Sequence, residues 1–555
     1  MLMINNELKR KSLMVFCLFI LTMNLLAFTS VIINLVNPAP YLFWNLAGYT
    51  VLISLIGNIV LAYKEYRYRY TGYSYLVLHI ISMLLIPLLN TLASGDVQNK
   101  TSQSIFVLIL YSVIFIFGAV NAGLQIKQIL KHSKENCEDA AKAGLFKNIV
   151  RWIIITLLGF CLVFGIYLMY ILLGRTRGNM IEVFIPVYAV FWGLFILGIS
   201  FMIIKLRWRK KKSIFNIIVL SIGIIIFITC MFPLLSVPVI IKNADTSYRQ
   251  VFGDVYLDDK NIIGRYGFKP VPFSLLNYFF GTPTSDYTVI EDVLYYEGTS
   301  GVDTGIKLHF DVYMPLAERF PGNNPVLIRI HGGAWVTGGK GAMNYSATNK
   351  HFLNLGYVVF DIQYGLNNRN TSYPSTGIHQ YVKGDFDIDD MIRHIGIFTT
   401  YLADHADVYK ANLDSVFFTG ASAGGQLSTA AALGIISGKY TDLLDSRLNV
   451  KGIIPFYPAN GLPPNMGIGG TPDLVDPVML INDSSPPCLI FHGTHDGIVP
   501  PAIANTLQDT YKKMSLSPSA LIWMNFASHG SDIYTSGYYN QIFLYYMERF
   551  MHQYR

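Results

Sequence analysis

Three residue types needed for nucleophilic catalysis occur in this 555-residue chain in the order Ser, Asp, His. Ser422 lies in Gly420-Ala-Ser-Ala-Gly424, within the longer run FFTGASAGGQLS. Asp496 lies in FHGTHDGIVP and His529 in NFASHG. A serine hydroxyl is a weak nucleophile at neutral pH unless a neighbouring base takes its proton and a third group orients that base. A developing oxyanion also needs backbone N–H donors. The run His331-Gly332-Gly333-Ala334-Trp335 ends a strand-like segment with glycines, whose N–H groups can turn into a site at the strand's carboxyl end.

Such a relay works only if an architecture brings these residues to one edge. Strand-like runs are expected at Asp292–Glu297, Lys307–Met314, Val326–His331, Tyr357–Tyr364, Ser415–Gly420, Gly452–Tyr457, Cys488–His492 and Ala520–Phe526. Several are short and apolar throughout, as strands buried on both faces must be. Helical segments are expected at 343–355, 388–403, 423–437, 501–514 and 537–552. This alternation predicts a mostly parallel sheet of about eight strands with helices on both faces. Ser422 then falls on a tight strand-to-helix turn. Gly420 and Gly424 allow close packing there, and the helix N-terminus supplies free N–H groups. Asp496 and His529 each fall just beyond a later strand. His492 reads as closing its strand and His495 as exposed. Asp473 and Asp476 lie in a Pro/Gly-rich loop with no strand before them, so they are weaker rivals to Asp496.

Residues 290–555 resemble an α/β-hydrolase of the esterase–lipase type. They are similar to the hormone-sensitive-lipase-like carboxylesterases and to the BD-FAE/kynurenine-formamidase-like group with its HGGxW loop. DVYMP (311–315), HGGAW (331–335), GYVVFDIQY (356–364), GASAGG (420–425) and HGTHDGIVP (492–500) follow that pattern in order. The resemblance implies that Ser422 is the nucleophile, His529 the base and then the acid, and Asp496 the group orienting His529. It places the oxyanion hole at Gly332, Gly333 and Ala423. His331, Ala334 and Trp335 then belong to a substrate pocket, with packing the other role open to Trp335. Two departures stand out. Ala334-Trp335 replaces the third glycine of the lipase-type HGGG loop, and Gly365 follows Tyr364 where the family often has arginine.

The first half is a different object. Apolar stretches near 13–36, 41–63, 73–94, 104–126, 149–173, 181–204 and 213–240 are each long enough to span a bilayer, which takes about 20 residues. An all-α transmembrane bundle of about seven helices is therefore expected over residues 1–243. A membrane-proximal linker is expected over 244–285, with an interfacial patch at PFSLLNYFFG, and the hydrolase domain over 286–555. Short loops on one side of the spans carry 18 Lys and Arg, against 4 on the other. The positive-inside rule then puts the N-terminus in the cytoplasm and the catalytic domain outside it. The spans hold few polar residues. Asn45, Asn58, His79 and Asn121 are expected to hydrogen-bond between helices rather than form an ion path.

Residues 1–243 carry a net charge of +15 and residues 244–555 a net charge of −8. The basic excess sits in loops between spans, so nucleic acid is not an expected partner. The five cysteines form no CxxC motif, and only Cys488 falls in the second half, where it reads as a core residue. Asp385-Phe-Asp-Ile-Asp-Asp390 lacks the glycine and late glutamate of a calcium loop and reads as a capped helix start. No metal or other cofactor is expected. The expected substrate is an ester, with lipid or cell-envelope esters mildly favoured by the anchor. A peptidase or acyltransferase on the same triad, or a non-catalytic membrane sensor, remains open, as does the oligomeric state.

Overall fold

The computed structural model describes residues 2–36, 44–64, 69–99, 101–131, 145–174, 178–207, 213–258, 267–282, 287–341, 345–369 and 380–555. Several of the loop cations counted above, including Lys100, Lys134, Lys142, Arg175, Arg177 and Lys210–Lys212, lie outside these residues.

Among the described residues, seven helices in the first half are long and apolar enough to cross a membrane. They are α1 (Leu2–Val36), α2 (Trp44–Lys64), α3 (Arg69–Gly95), α4 (Ile105–Leu130), α5 (Leu145–Leu173), α6 (Ala189–Leu206) and α7 (Ile214–Phe252). Their outward faces carry many exposed large apolar residues, such as Leu88, Phe106, Leu157 and Ile217, as a lipid-facing surface requires. Two of the polar residues singled out in the spans, Asn58 and His79, bond across helices. Asn58 and Asn24 donate to each other at 2.7 and 2.9 Å, and His79 Nε2 lies 3.2 Å from the Leu194 carbonyl.

The expected boundary at residue 243 falls inside a helix. α7 runs 39 residues, well beyond the length needed to span, and its last turns leave the bundle to meet the C-terminal helix. There Tyr546 donates to Asp245 at 2.7 Å, and the Phe252 and Phe550 rings are 5.2 Å apart. The expected interfacial patch instead forms a short helix, α8 (Leu275–Phe280), buried throughout. It is wedged beside α2, where Asn45 accepts from the Leu275 N–H at 2.6 Å. Phe279 and Phe280 pack on Tyr111 of α4, and Tyr278 stacks on Phe191 of α6.

The second half is an α/β-hydrolase fold. Its main strands are β1 (Thr288–Glu297), β2 (Lys307–Met314), β3 (Asn324–Ile330), β4 (Val358–Ile362), β5 (Ala411–Ala421), β6 (Val450–Phe456), β7 (Cys488–Gly493) and β8 (Ser519–Met524). The sheet order is β1-β2-β4-β3-β5-β6-β7-β8. β1 and β2 are antiparallel to their neighbours and the rest run parallel. The accompanying helices are α9 (Tyr345–Leu353), α10 (Ile388–Asp404), α11 (Ala423–Ser437), α12 (Pro501–Met514) and α13 (Tyr538–Tyr554). α10 begins at the acidic cluster, where Asp387 and Asp390 form a reciprocal capping box.

Alternate side chains along each strand point to opposite faces. One face packs on α10, α11 and α12 in a core internal to the hydrolase. The other face shares one continuous apolar cluster with α13, α8 and the membrane helices. α13 lies between sheet and bundle, and every residue from Tyr538 to Met551 is buried.

Candidate active site

Ser422 closes β5 and caps α11 in a left-handed conformation, φ 58° and ψ −120°. A non-glycine residue held there is strained, and the surroundings must over-determine it. They do so through three backbone bonds. The Ser422 N–H donates to the Phe456 carbonyl at 3.0 Å, and its own carbonyl accepts from Ala459 at 3.1 Å and Gln426 at 3.0 Å. The flanking glycines are required by contact. A Cβ on Gly420 would sit 2.2 Å from the Gly424 carbonyl oxygen, and one on Gly424 would sit 2.2 Å from that of Ile330.

The three expected relay residues meet at the carboxyl edge of the sheet. His529 Nε2 lies 2.9 Å from Ser422 Oγ, and His529 Nδ1 lies 2.8 Å from Asp496 Oδ2. The other carboxylate oxygen, Oδ1, accepts from the N–H groups of Ile498 at 2.9 Å and Val499 at 2.8 Å. Burial alone would raise the Asp496 carboxyl. The charge and hydrogen bond of His529, with His492 and Val499 adding to them, bring it below the ordinary carboxylate range instead. An ionised Asp496 holds Nδ1–H towards itself and leaves Nε2 with a lone pair facing the serine.

The rival histidines take other roles. His492 is fully buried and donates Nε2–H to the Val499 carbonyl at 3.0 Å, and burial holds it below the usual histidine range. His495 is half-buried rather than exposed and stacks on Phe526.

Ala423 is the first residue of α11, so its N–H has no acceptor within the helix and lies at its positive end. Gly332 packs directly against the nucleophile turn. A Cβ there would lie 2.6 Å from the Ala421 carbonyl oxygen and 3.4 Å from Ser422 Cβ. Gly333 has φ +122°, and its carbonyl accepts from Val336 and Thr337.

Of the three residues expected to line a pocket, only Ala334 is partly exposed. His331 and Trp335 brace the loop from behind. The His331 ring stacks on Tyr364 at 4.4 Å, and burial pushes it down to about 4. The Trp335 indole donates to Gln426 of α11 at 2.9 Å, and Gln426 in turn donates to the Leu474 carbonyl. Gly365, the other departure from the family pattern, has a local cause. A Cβ there would lie 2.5 Å from the His394 ring, which is buried and bonded to Asp303 at 3.0 Å.

Two features of the site have no local sequence signal. The Tyr457 ring lies 4.6 Å from the His529 ring, and its hydroxyl is held by Asp532. The segment between α5 and α6 also contacts the loops that carry Asp496 and His529. Ser528, next to His529, donates to the Glu182 carbonyl at 2.7 Å. A Cβ on Gly530 would meet Val183 at 2.6 Å, and one on Gly178 would lie 2.9 Å from the Gly497 carbonyl oxygen.

The BD-FAE family model matches residues 310–463. The chain is 26% identical over 247 residues to a protein of Mycobacterium tuberculosis described as "Probable carboxylic ester hydrolase LipM", covering 40% of this chain. The chain spans about half the length of that curated relative, 53%. Among solved structures it is similar to esterase Est2 of Thermogutta terrifontis, at 19% identity and TM-score 0.36, covering 45% of this chain and 84% of that one. It is also similar to a hyperthermophilic esterase of Pyrobaculum calidifontis, at 17% identity and TM-score 0.38, covering 48% and 85%.

Proposed function

We propose that this protein is a membrane-anchored serine hydrolase that cleaves carboxylic esters outside the cytoplasm. The observation that carries the reading is the unbroken contact Asp496–His529–Ser422 beside the N–H of Ala423 and the Gly332-Gly333 turn. Ser422 Oγ attacks the ester carbonyl while His529 Nε2 takes its proton. The oxyanion is held by the N–H groups of Ala423, Gly332 and Gly333. Collapse of the tetrahedral intermediate breaks the bond to the alkoxy oxygen, which leaves as the alcohol with the proton from His529. A water molecule, deprotonated by His529, then releases the acid from Ser422.

The side of the membrane is read from charge. The loops that face the hydrolase, between α3 and α4 and between α5 and α6, carry three of the chain's loop cations. The opposite loops and the N-terminus carry 18.

Hydrolysis of p-nitrophenyl butyrate by the full-length protein tests the chemistry. Ser422→Ala should lower kcat by about 10⁴-fold or more, and equal rates for the two proteins would sink the proposal. A membrane-impermeant fluorophosphonate probe on intact cells tests the side. Labelling of Ser422 only after the cells are broken open would reverse the assigned orientation.

A further inference from the structure

A cleft of about 880 Å³ opens between α2 and the outer half of α7, away from the catalytic residues. Its depth is apolar: Leu52 and Ile56 on one side, Phe227, Met231 and Leu234 on the other. The α7 residues that line it recur at helical spacing from Phe227 to Arg249. The stretch from Phe227 to Lys242 alone covers about 22 Å at 1.5 Å per residue. That exceeds half of a hydrocarbon core about 30 Å thick. The upper end is polar. Lys242 and Arg249 reach it from α7, with Thr246 between them. Asp245 also lies at this level, but its carboxylate accepts from Tyr546 of α13.

The cleft therefore grades from hydrocarbon to cation along one helix face, at the end of the bundle that carries the hydrolase. Leu235 and Lys242 are exposed, so the groove opens sideways to the lipid phase. We propose that it is a binding site for an anionic phospholipid, with an acyl chain along Phe227, Met231 and Leu235 and the phosphate between Lys242 and Arg249. The charge of the mouth favours an anionic over a zwitterionic headgroup, since Lys242 and Arg249 bring two cations to it and Asp245 offsets only part of their charge. A lipid seated here bridges α2 and α7 beside Phe273, just ahead of the α8 wedge, and so steadies the junction between bundle and hydrolase.

Native mass spectrometry of the full-length protein, released from detergent with dioleoyl phosphatidylglycerol or dioleoyl phosphatidylcholine, tests this. The native protein should retain the glycerol lipid about tenfold better. The double variant Lys242→Ala/Arg249→Ala should retain the two equally, with p-nitrophenyl butyrate turnover unchanged as the measure of an intact fold. Leu235→Trp, which fills the groove from its lipid-facing side, should lower retention of both lipids at least threefold. Equal retention of the two lipids by the native protein overturns the proposal. So does a preference that survives the double variant, or full retention in Leu235→Trp.

Discussion

The two faces of the hydrolase sheet are closed by different means. On one, α10 and α12 lay apolar stripes on the strands and turn polar sides outward, and α11 is buried from Ala423 to Ile435 in a core made of hydrolase elements alone. α12 shows the pattern plainly, with Ala504, Leu507 and Tyr511 buried and Lys512 and Lys513 in its last turn. On the other, α13 is buried on all sides, with tyrosines and a Glu548–Arg549 pair where a solvated helix would carry exposed charges. Its outer side meets membrane helices and the α8 wedge, not water. Tyr538 donates to the Pro186 carbonyl and Tyr534 to that of Tyr278. Thus one face belongs to a domain that closes itself, while the other is the interior of a larger object that includes the bundle.

Deletion breaks or sustains that contrast most directly. Residues 244–555 expressed alone should yield no soluble, monodisperse protein, because the bundle side of α13 and all of α8 would be exposed as one large apolar patch. Size-exclusion chromatography and ester turnover check this. A soluble fragment with native turnover would show that the two faces are equivalent after all. Next in size is Tyr278→Ala, which empties the contact between wedge and bundle. It should cost about 3–5 kcal/mol, read as a lowered Tm of the detergent-solubilised protein.

The bundle-side face also buries charge. Arg329, Asp361 and Asp311 lie side by side across β3, β4 and β2. Burial, with Asp311 adding to it, raises Asp361 to about 6. A carboxyl raised in the folded state favours folding while protonated, and that contribution is lost as pH climbs from about 4 to about 6. Asp361→Asn should therefore flatten the fall in stability over that range by up to about 3 kcal/mol, as two pKa units imply. Denaturant melts at pH 4.5 and 7.5 measure it, and an unchanged pH slope counts against the assignment. Smallest is Ser528→Ala. Loss of one hydrogen bond to the Glu182 carbonyl, about 1 kcal/mol, should lower kcat about fivefold on a soluble ester while KM holds. If KM rises and kcat holds, the bundle loop acts on substrate access rather than on His529.

Much of the site was legible because its signals are local. Ser422 between a strand and a helix, glycines directly after β3, and Asp496 and His529 directly after β7 and β8 each need only a few neighbouring residues to recognise. Helix α11 and strand β2 fall where periodicity puts them, Ala423–Ser437 and Lys307–Met314. Trp335 shows the limit. Its position beside Gly332 and Gly333 says nothing of the Gln426 amide 91 residues away that draws its indole inward. PFSLLNYFFG reads equally as an interfacial patch or a buried wedge, since both require the same apolar residues.

By itself, the amino-acid sequence determined seven apolar stretches long enough to span a bilayer, the strand–helix alternation, and the order of Ser422, Asp496 and His529 along it. These follow from hydropathy, period and turn chemistry within short windows. The tertiary structure alone decided that the relay closes at hydrogen-bond distance, that α13 is buried on every side, and that a membrane loop 346 residues from Ser528 accepts its hydroxyl. Contacts at that separation leave no periodicity in the chain. They depend on which surfaces remain unburied once each half has formed, and only the assembled bundle and sheet bring those surfaces together.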